Sequence, residues 1–121
     1  MRTTRVFLLC EAAAFAIAAT IHSGMLVAGY EHPQARIAES ILATVLLLGL
    51  VASFVQPAWT ARAGAIAQTI ALIGTLVGIG TIAVGVGPRT VPDVIYHIAI
   101  VVVLVAGIRA ARQHRDATAV A

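Results

Sequence analysis

Charged side chains are scarce in this chain. Of its 121 residues, 11% are charged and 60% are hydrophobic, and the mean hydropathy is +0.99. Soluble domains carry roughly 25% charged residues, so the composition excludes an ordinary soluble fold. It predicts one small integral membrane domain that covers residues 1–121.

Lysine is absent, and all eight basic residues are arginine. The net charge of +3 alone would be compatible with nucleic-acid binding. However, the arginines stand at the ends of apolar segments and form no cluster with interleaved aromatic residues, which make up only 5% of the chain. The pattern therefore excludes a nucleic-acid surface and indicates charges that orient the chain in a bilayer.

Several chemical signatures are also missing. Cys10 is the single cysteine, so it cannot form an internal disulfide, and we interpret it as a small buried hydrophobic residue. The sequence contains no Walker A, HExxH, nucleophile-elbow or CxxCH motif. The basic and apolar N-terminus resembles a signal peptide, but Glu11 interrupts the apolar run, which continues to about Gly29. We therefore predict a retained first span.

Four apolar stretches are each long enough to cross a bilayer, which takes about 20 helical residues. We predict spans at residues 6–29, 37–55, 63–86 and 91–108, followed by a polar tail at 109–121. The short links predict an antiparallel four-helix bundle. Two arginines lie on one side and six on the other, so the positive-inside rule predicts that both termini are cytoplasmic. Those six are Arg2, Arg5, Arg62, Arg109, Arg112 and Arg115. We expect the membrane to be a bacterial plasma membrane.

Four ionisable residues from three predicted spans belong to one layer near the outer membrane face. They are His22, Glu39, Asp93 and His97. At a helix rise of about 1.5 Å per residue, the two histidines lie ~10 Å below the outer span ends and the two carboxylates ~3–5 Å below. Charge in hydrocarbon is costly, so this layer is the candidate functional site.

Two imidazoles and two carboxylates suit a transition metal, namely Zn, Mn, Fe or Cu. Alternatively, His22 and His97 match in depth and serve as the axial ligands of a haem b. Structural roles compete with both interpretations. Asp93 can cap its helix together with Thr90, Glu39 can pair with Arg36, and each histidine can form a hydrogen bond between helices.

A second polar pair is predicted nearer the cytoplasmic face, where Glu11 and Gln68 lie at similar heights in spans one and three. A hydrogen bond between them would satisfy both groups. Alternatively, Glu11 is one step of a proton path to the outer layer, to which Tyr96 adds a phenol beside the Asp93–His97 face.

Small residues recur along span three, including the GxxxG of Gly74 and Gly78. Such a stripe allows close helix packing, either within the bundle or at a seam with a second copy or a larger complex.

The chain's size, its four spans and Glu11 are together similar to the small multidrug resistance transporters. The resemblance implies a membrane-embedded glutamate that exchanges protons for a cationic substrate, and Glu11 alone carries it. The aromatic-rich substrate pocket of that family has no counterpart here.

Our leading hypothesis is a small membrane protein with a metal or haem site near the outer face. If it is an enzyme, it is a metal-dependent oxidoreductase acting on a lipophilic or quinone-like substrate that enters from the bilayer. The alternatives are a proton-coupled transporter that uses Glu11 and an accessory subunit of a larger membrane complex.

Overall fold

Four α-helices make up most of the chain in a computed structural model, which describes the backbone of residues 1–119 and the side chains of residues 1–113. They are α1 (Arg2–His22), α2 (Pro33–Val55), α3 (Thr60–Ala83) and α4 (Val91–Ala119), with a 3₁₀ turn at Pro57–Trp59 before α3. No strand occurs in this described part. All four helices are long and apolar enough to cross a membrane, so length and composition indicate a membrane protein.

The helices form a bundle in which each consecutive pair is in contact and α1 also packs against α4. The shared core is built from large apolar side chains of α1, α2 and α4 and small ones of α3. It includes Leu8, Phe15, Leu46, Ala71 and Leu104, all almost fully buried. The outward faces are apolar as well, with Leu48, Val77 and Ile98 more than half exposed. Apolar side chains on both faces are expected of helices surrounded by lipid.

Helix α1 ends at His22, well before the predicted span end at 29. The residues that follow turn the chain, and Gly24 and Gly29 have φ angles of 77° and 90°. The N–H of Ser23 donates to the carbonyl of Ala19, and the next N–H, of Gly24, donates to Ile21. A glycine in this left-handed conformation just after a helix is a common termination. The predicted depth of ~10 Å counted about seven helical residues beyond His22, whereas His22 is the last residue of its helix.

The other helix ends also differ from the predicted spans. Helix α3 runs to Ala83, where Gly85 turns the chain with a φ angle of 86°. Helix α4 continues beyond residue 108 to Ala119, so most of the predicted polar tail is helical. The side chains of His114 and Arg115, and residues 120 and 121, lie outside the described part.

Cys10 is exposed on the face of α1 that points away from the bundle core, so the prediction that it is buried was wrong. The buried face of α1 instead contains Leu8, Glu11 and Phe15, none more than 2% exposed. Hydropathy alone cannot separate these two faces, because a membrane helix is apolar on both.

The space beside two small residues of α3 is filled by side chains of the same chain. A Cβ atom added at Gly74 would lie 2.8 Å from Leu42 Cδ2, and one at Gly78 would lie 3.3 Å from His97 Nε2. The two glycines therefore make room for one side chain of α2 and one of α4. This is the intrachain packing that we considered for the stripe, and contact with a second copy or a larger complex stays a prediction.

Candidate ligand-binding site

The connections α1–α2 and α3–α4 meet at one end of the bundle, called here the His22 end. The Nε2 atom of His32, in the first connection, lies 3.3 Å from the carbonyl oxygen of Val86 in the second. His32 is also the N-cap of α2, since its Nδ1 accepts the N–H of Ala35 at 3.2 Å. The sequence places His32 in the outer turn, either in solvent or at the mouth of the site, and a polar residue directly before Pro33 is a recognisable helix start.

His22, Glu39 and Asp93 form one hydrogen-bonded cluster at this end. Nδ1 of His22 lies 2.7 Å from Oε2 of Glu39, and Nε2 lies 3.2 Å from Oδ1 of Asp93. All three residues are buried, with 4%, 6% and 7% of their surfaces exposed. Each contact holds one proton, because a bare imidazole nitrogen and a bare carboxylate oxygen would repel at such distances. His22 therefore links carboxyl groups from two other helices.

Asp93 has two functions at once. Its Oδ2 accepts hydrogen bonds from the backbone N–H of Thr90, at 3.1 Å, and from the Thr90 hydroxyl, while Oδ1 contacts His22. The Thr90 hydroxyl in turn lies 3.3 Å from the N–H of Asp93, which completes a capping box. The helix cap thus fixes the carboxyl group that positions His22.

The Glu39 side chain does not pair with Arg36, and among the described residues it bonds only to His22. Its second oxygen, Oε1, has no hydrogen-bond partner among the described residues. Glu39 also lines a cleft at the His22 end, which we call the α2–α3 cleft.

The α2–α3 cleft has a volume of about 230 Å³ and mostly apolar walls. Leu42 of α2, Gly74 and Gly78 of α3, and Phe15 of α1 form part of the wall. Its polar groups come from His32, Glu39, Thr75, Thr81, Tyr96 and His97, with Gln34 exposed at the rim. Apolar walls with a few converging polar groups are typical of small-molecule sites.

His97 presents an uncommitted nitrogen to this cleft. Its Nδ1 lies 2.7 Å from the backbone carbonyl oxygen of Asp93. A carbonyl can only accept, so Nδ1 must carry the proton and donate it. In the neutral ring Nε2 is then an unprotonated acceptor, and no described group bonds to it.

Tyr96 lies between the α2–α3 cleft and a second one. Its ring meets those of Phe15 and His97 edge-on, at centroid distances of 6.2 and 5.5 Å. Its hydroxyl is buried and has no hydrogen-bond partner among the described residues. The second cleft, of about 330 Å³, lies between α1 and α4 and is lined by His22 and Asp93. The cluster of His22, Glu39 and Asp93 therefore lies between two clefts. Glu39 lines the α2–α3 cleft, and Asp93 lines the second one.

Glu11 and Gln68 form a separate pair deeper in the bundle. The Gln68 amide donates to both carboxyl oxygens of Glu11, at 3.1 and 3.0 Å, and both residues are fully buried. Gly107 of α4 passes directly over them, since a Cβ there would lie 2.1 Å from Gln68 Nε2. Among the described side chains no hydrogen bond joins this pair to His22, and Phe15 lies between the two layers on α1.

The predicted four-residue metal site is divided in the structure. His22 has both nitrogens engaged by carboxyl groups, whereas His97 has Nε2 free within the described residues. No group of three or more His, Cys, Asp or Glu side chains in residues 1–113 is arranged to hold a metal ion. Neither nitrogen of His22 is open for an axial bond to haem iron, so the paired-histidine haem arrangement would require one of the two carboxyl groups to move.

No protein-family model matches the chain, and no curated protein or solved structure matches it. The likeness to small multidrug resistance transporters therefore stays a resemblance of layout and of one residue, Glu11.

Proposed function

We propose that this chain is an integral membrane protein that binds a small, mostly apolar molecule in the α2–α3 cleft. The observation that carries the proposal is the state of His97, which lines a mostly apolar cleft. Its Nδ1 donates to the Asp93 carbonyl, which leaves Nε2 as an acceptor with no described partner. His97 is partly buried, so a ligand that donates a hydrogen bond to this nitrogen gains affinity over one that covers it and leaves it unpaired. An apolar cavity of ~150 Å³ holds benzene, so the cleft has room for one substituted ring.

The ligand enters from the bilayer in this proposal. The helices are antiparallel, both termini are cytoplasmic, and the His22 end faces outward from a bacterial plasma membrane. Two contacts support the helix directions: His22 at the end of α1 meets Glu39 near the start of α2, and Arg5 near the start of α1 meets Ser53 near the end of α2. The arginine distribution supports the orientation.

Ligand binding can be tested with fluorinated single-ring probes. The protein in lipid nanodiscs is titrated with fluorobenzene and with 4-fluorophenol, and ¹⁹F NMR separates saturable binding from partition into empty nanodiscs. We expect saturable binding of at least one probe to the wild type. Partition equal to that of empty nanodiscs for both probes would overturn the proposal.

Two glycines of α3 provide a matched pair of variants. Gly78→Ala adds a methyl group 3.3 Å from His97 Nε2, whereas Gly80→Ala adds one where nothing lies within 4 Å. We expect Gly78→Ala to weaken binding and Gly80→Ala to leave it unchanged. Equal affinities of the two variants would place the site elsewhere.

A transition-metal site is the second candidate, and one observation favours it. Metal-ligating histidines usually donate their other ring N–H to a carbonyl or carboxylate, as His97 does to Asp93. Glu39 lines the same cleft and would supply a carboxylate, so Zn, Mn, Fe or Cu remains the proposed metal. Elemental analysis and an absorption spectrum of the purified wild type and His97→Gln test this candidate. Equally low metal and haem content in both would remove it.

A further inference from the structure

The polar groups of the α2–α3 cleft are nearly all hydrogen-bond acceptors. His97 Nε2 is an acceptor because its ring proton is held on Nδ1 by the Asp93 carbonyl. His32 contributes nothing further, since Nδ1 accepts from Ala35 and the Nε2–H donates to Val86. This histidine closes the cleft without bonding to its contents.

Glu39 is a second acceptor, whichever way the shared proton lies. The proton between Glu39 and His22 is located between Oε2 and Nδ1, which are 2.7 Å apart. If the proton is on His22, Glu39 is a carboxylate. If it is on Oε2, then Oε1 is a carbonyl oxygen. Oε1 therefore has lone pairs and no hydrogen in both cases.

The two threonines that line the cleft have already donated their hydrogens. Thr75 donates to the carbonyl of Ala71 at 2.8 Å, and Thr81 donates to that of Gly78 at 2.7 Å. Of the buried polar groups that line the cleft, only the Tyr96 hydroxyl keeps a hydrogen with no described partner. A ligand oxygen that donates to His97 or Glu39 can also accept from Tyr96, if it is a hydroxyl.

We propose that the ligand of the α2–α3 cleft carries a hydroxyl group on a single ring, as in a phenol or a quinol headgroup. The inference rests on the proposed function and narrows its ligand class. A quinone or an ether brings only acceptors, so it could accept from the Tyr96 hydroxyl but would supply no hydrogen to His97 Nε2 or Glu39 Oε1. The neutral tautomer of His97 thus selects the hydroxyl form, and Asp93 fixes that tautomer.

A matched pair of probes tests the donor requirement. 4-Fluorophenol and 4-fluoroanisole share a ring and a fluorine reporter, and differ in whether the oxygen carries hydrogen or methyl. After correction for partition into empty nanodiscs, we expect the phenol to bind the wild type about tenfold tighter or more, because the anisole covers the acceptor without donating a hydrogen bond to it.

Nitrogen NMR gives a readout that needs no variant of the site. In protein labelled with ¹⁵N-histidine, 4-fluorophenol should shift the His97 Nε2 resonance away from the position of a free acceptor nitrogen, and 4-fluoroanisole should not. His97→Phe, which retains a ring but removes the acceptor, should bring the two affinities close together. If that variant does not fold, Gly78→Ala should lower the phenol affinity instead.

The outcomes separate this inference from the proposed function. If neither probe nor fluorobenzene binds saturably, the proposed function fails. If phenol and anisole bind equally, the cleft is a ligand site but the hydroxyl requirement is wrong. A phenol preference that persists in His97→Phe would overturn the assignment of His97 as the acceptor.

Discussion

Nδ1 of His22 lies 2.7 Å from Oε2 of Glu39, and both side chains are buried between helices. The other nitrogen of the same ring contacts Asp93 at 3.2 Å. His22 therefore separates two carboxyl groups that come from α2 and α4. Without the imidazole, these two acidic groups would face each other in a medium that solvates charge poorly.

Removing His22 should therefore destabilise the fold more than its size suggests. We expect His22→Phe and Glu39→Leu each to lower the free energy of unfolding, and the double variant to lower it by less than the sum. The coupling should be about 1–3 kcal/mol, as for residues in one buried network. Unfolding of the four proteins in detergent by increasing sodium dodecyl sulfate measures it. Strict additivity would mean that the two groups are not coupled.

The Glu11–Gln68 pair should tolerate a change of acid to amide. Glu11→Gln retains one oxygen that accepts from the Gln68 amide, whereas Glu11→Leu leaves the amide without a partner. Hydrogen bonds between membrane helices average about 0.6 kcal/mol and reach about 1.7, so we expect a loss of roughly 1 kcal/mol for Glu11→Leu and little for Glu11→Gln. Thermal unfolding in detergent compares the two.

The same pair of variants addresses the transporter alternative. A proton-coupled transporter that uses Glu11 needs a carboxyl group there, so Glu11→Gln would abolish uptake driven by a proton gradient in proteoliposomes. Unchanged proton-driven uptake in that variant would remove Glu11 as the carrier.

Gly107 should be intolerant of any side chain. A Cβ there would lie 2.1 Å from Gln68 Nε2 and 2.5 Å from Glu11 Oε1, so these two fully buried groups would have to shift and strain their hydrogen bonds. We expect Gly107→Ala to cost about 1–3 kcal/mol, as overpacking does. Gly80→Ala, which meets nothing within 4 Å, is the control and should unfold like the wild type.

Measuring Gly107→Ala in a Gln68→Ala protein separates the steric cost of the contact with Gln68 from any effect on the backbone of α4. In Gln68→Ala the amide is gone, so part of the cost of Gly107→Ala should disappear. An equal cost in both backgrounds would indicate that α4 itself, and not the contact with Gln68, is sensitive to the change.

Helix number and the residues of the His22 cluster could be predicted from the sequence, because hydropathy and the rarity of charge are strong signals. His22, Glu39 and Asp93 meet as a cluster since each lies near a helix end and all three ends meet. The end of α1 was mispredicted because the apolar residues after Gly24 outweighed the Ser23-Gly24 pair, which is a local stop signal.

The geometry of the cluster could not be obtained from the sequence. Depth alone placed His22 and His97 together as equivalent ligands, but rotation about each helix axis separates them. The His22 ring points between two carboxyl groups, and the His97 ring points into a cleft that Gly78 opens. Successive residues point about 100° apart around a helix axis, so the depth of a residue along the axis does not determine the direction of its side chain.

The orientation in the membrane gives a prediction that does not depend on any ligand. In a Cys10→Ala background, Met25→Cys lies in the α1–α2 connection, where Met25 is 80% exposed, and Gln56→Cys lies in the exposed α2–α3 connection. If the His22 end faces outward, an impermeant maleimide should label Met25→Cys on intact cells and label Gln56→Cys only after permeabilisation. The reverse pattern would place His22, Glu39 and the α2–α3 cleft at the cytoplasmic face, despite the excess of arginines at the opposite end. Labelling of both positions on intact cells would indicate insertion in two orientations, which the arginine bias disfavours.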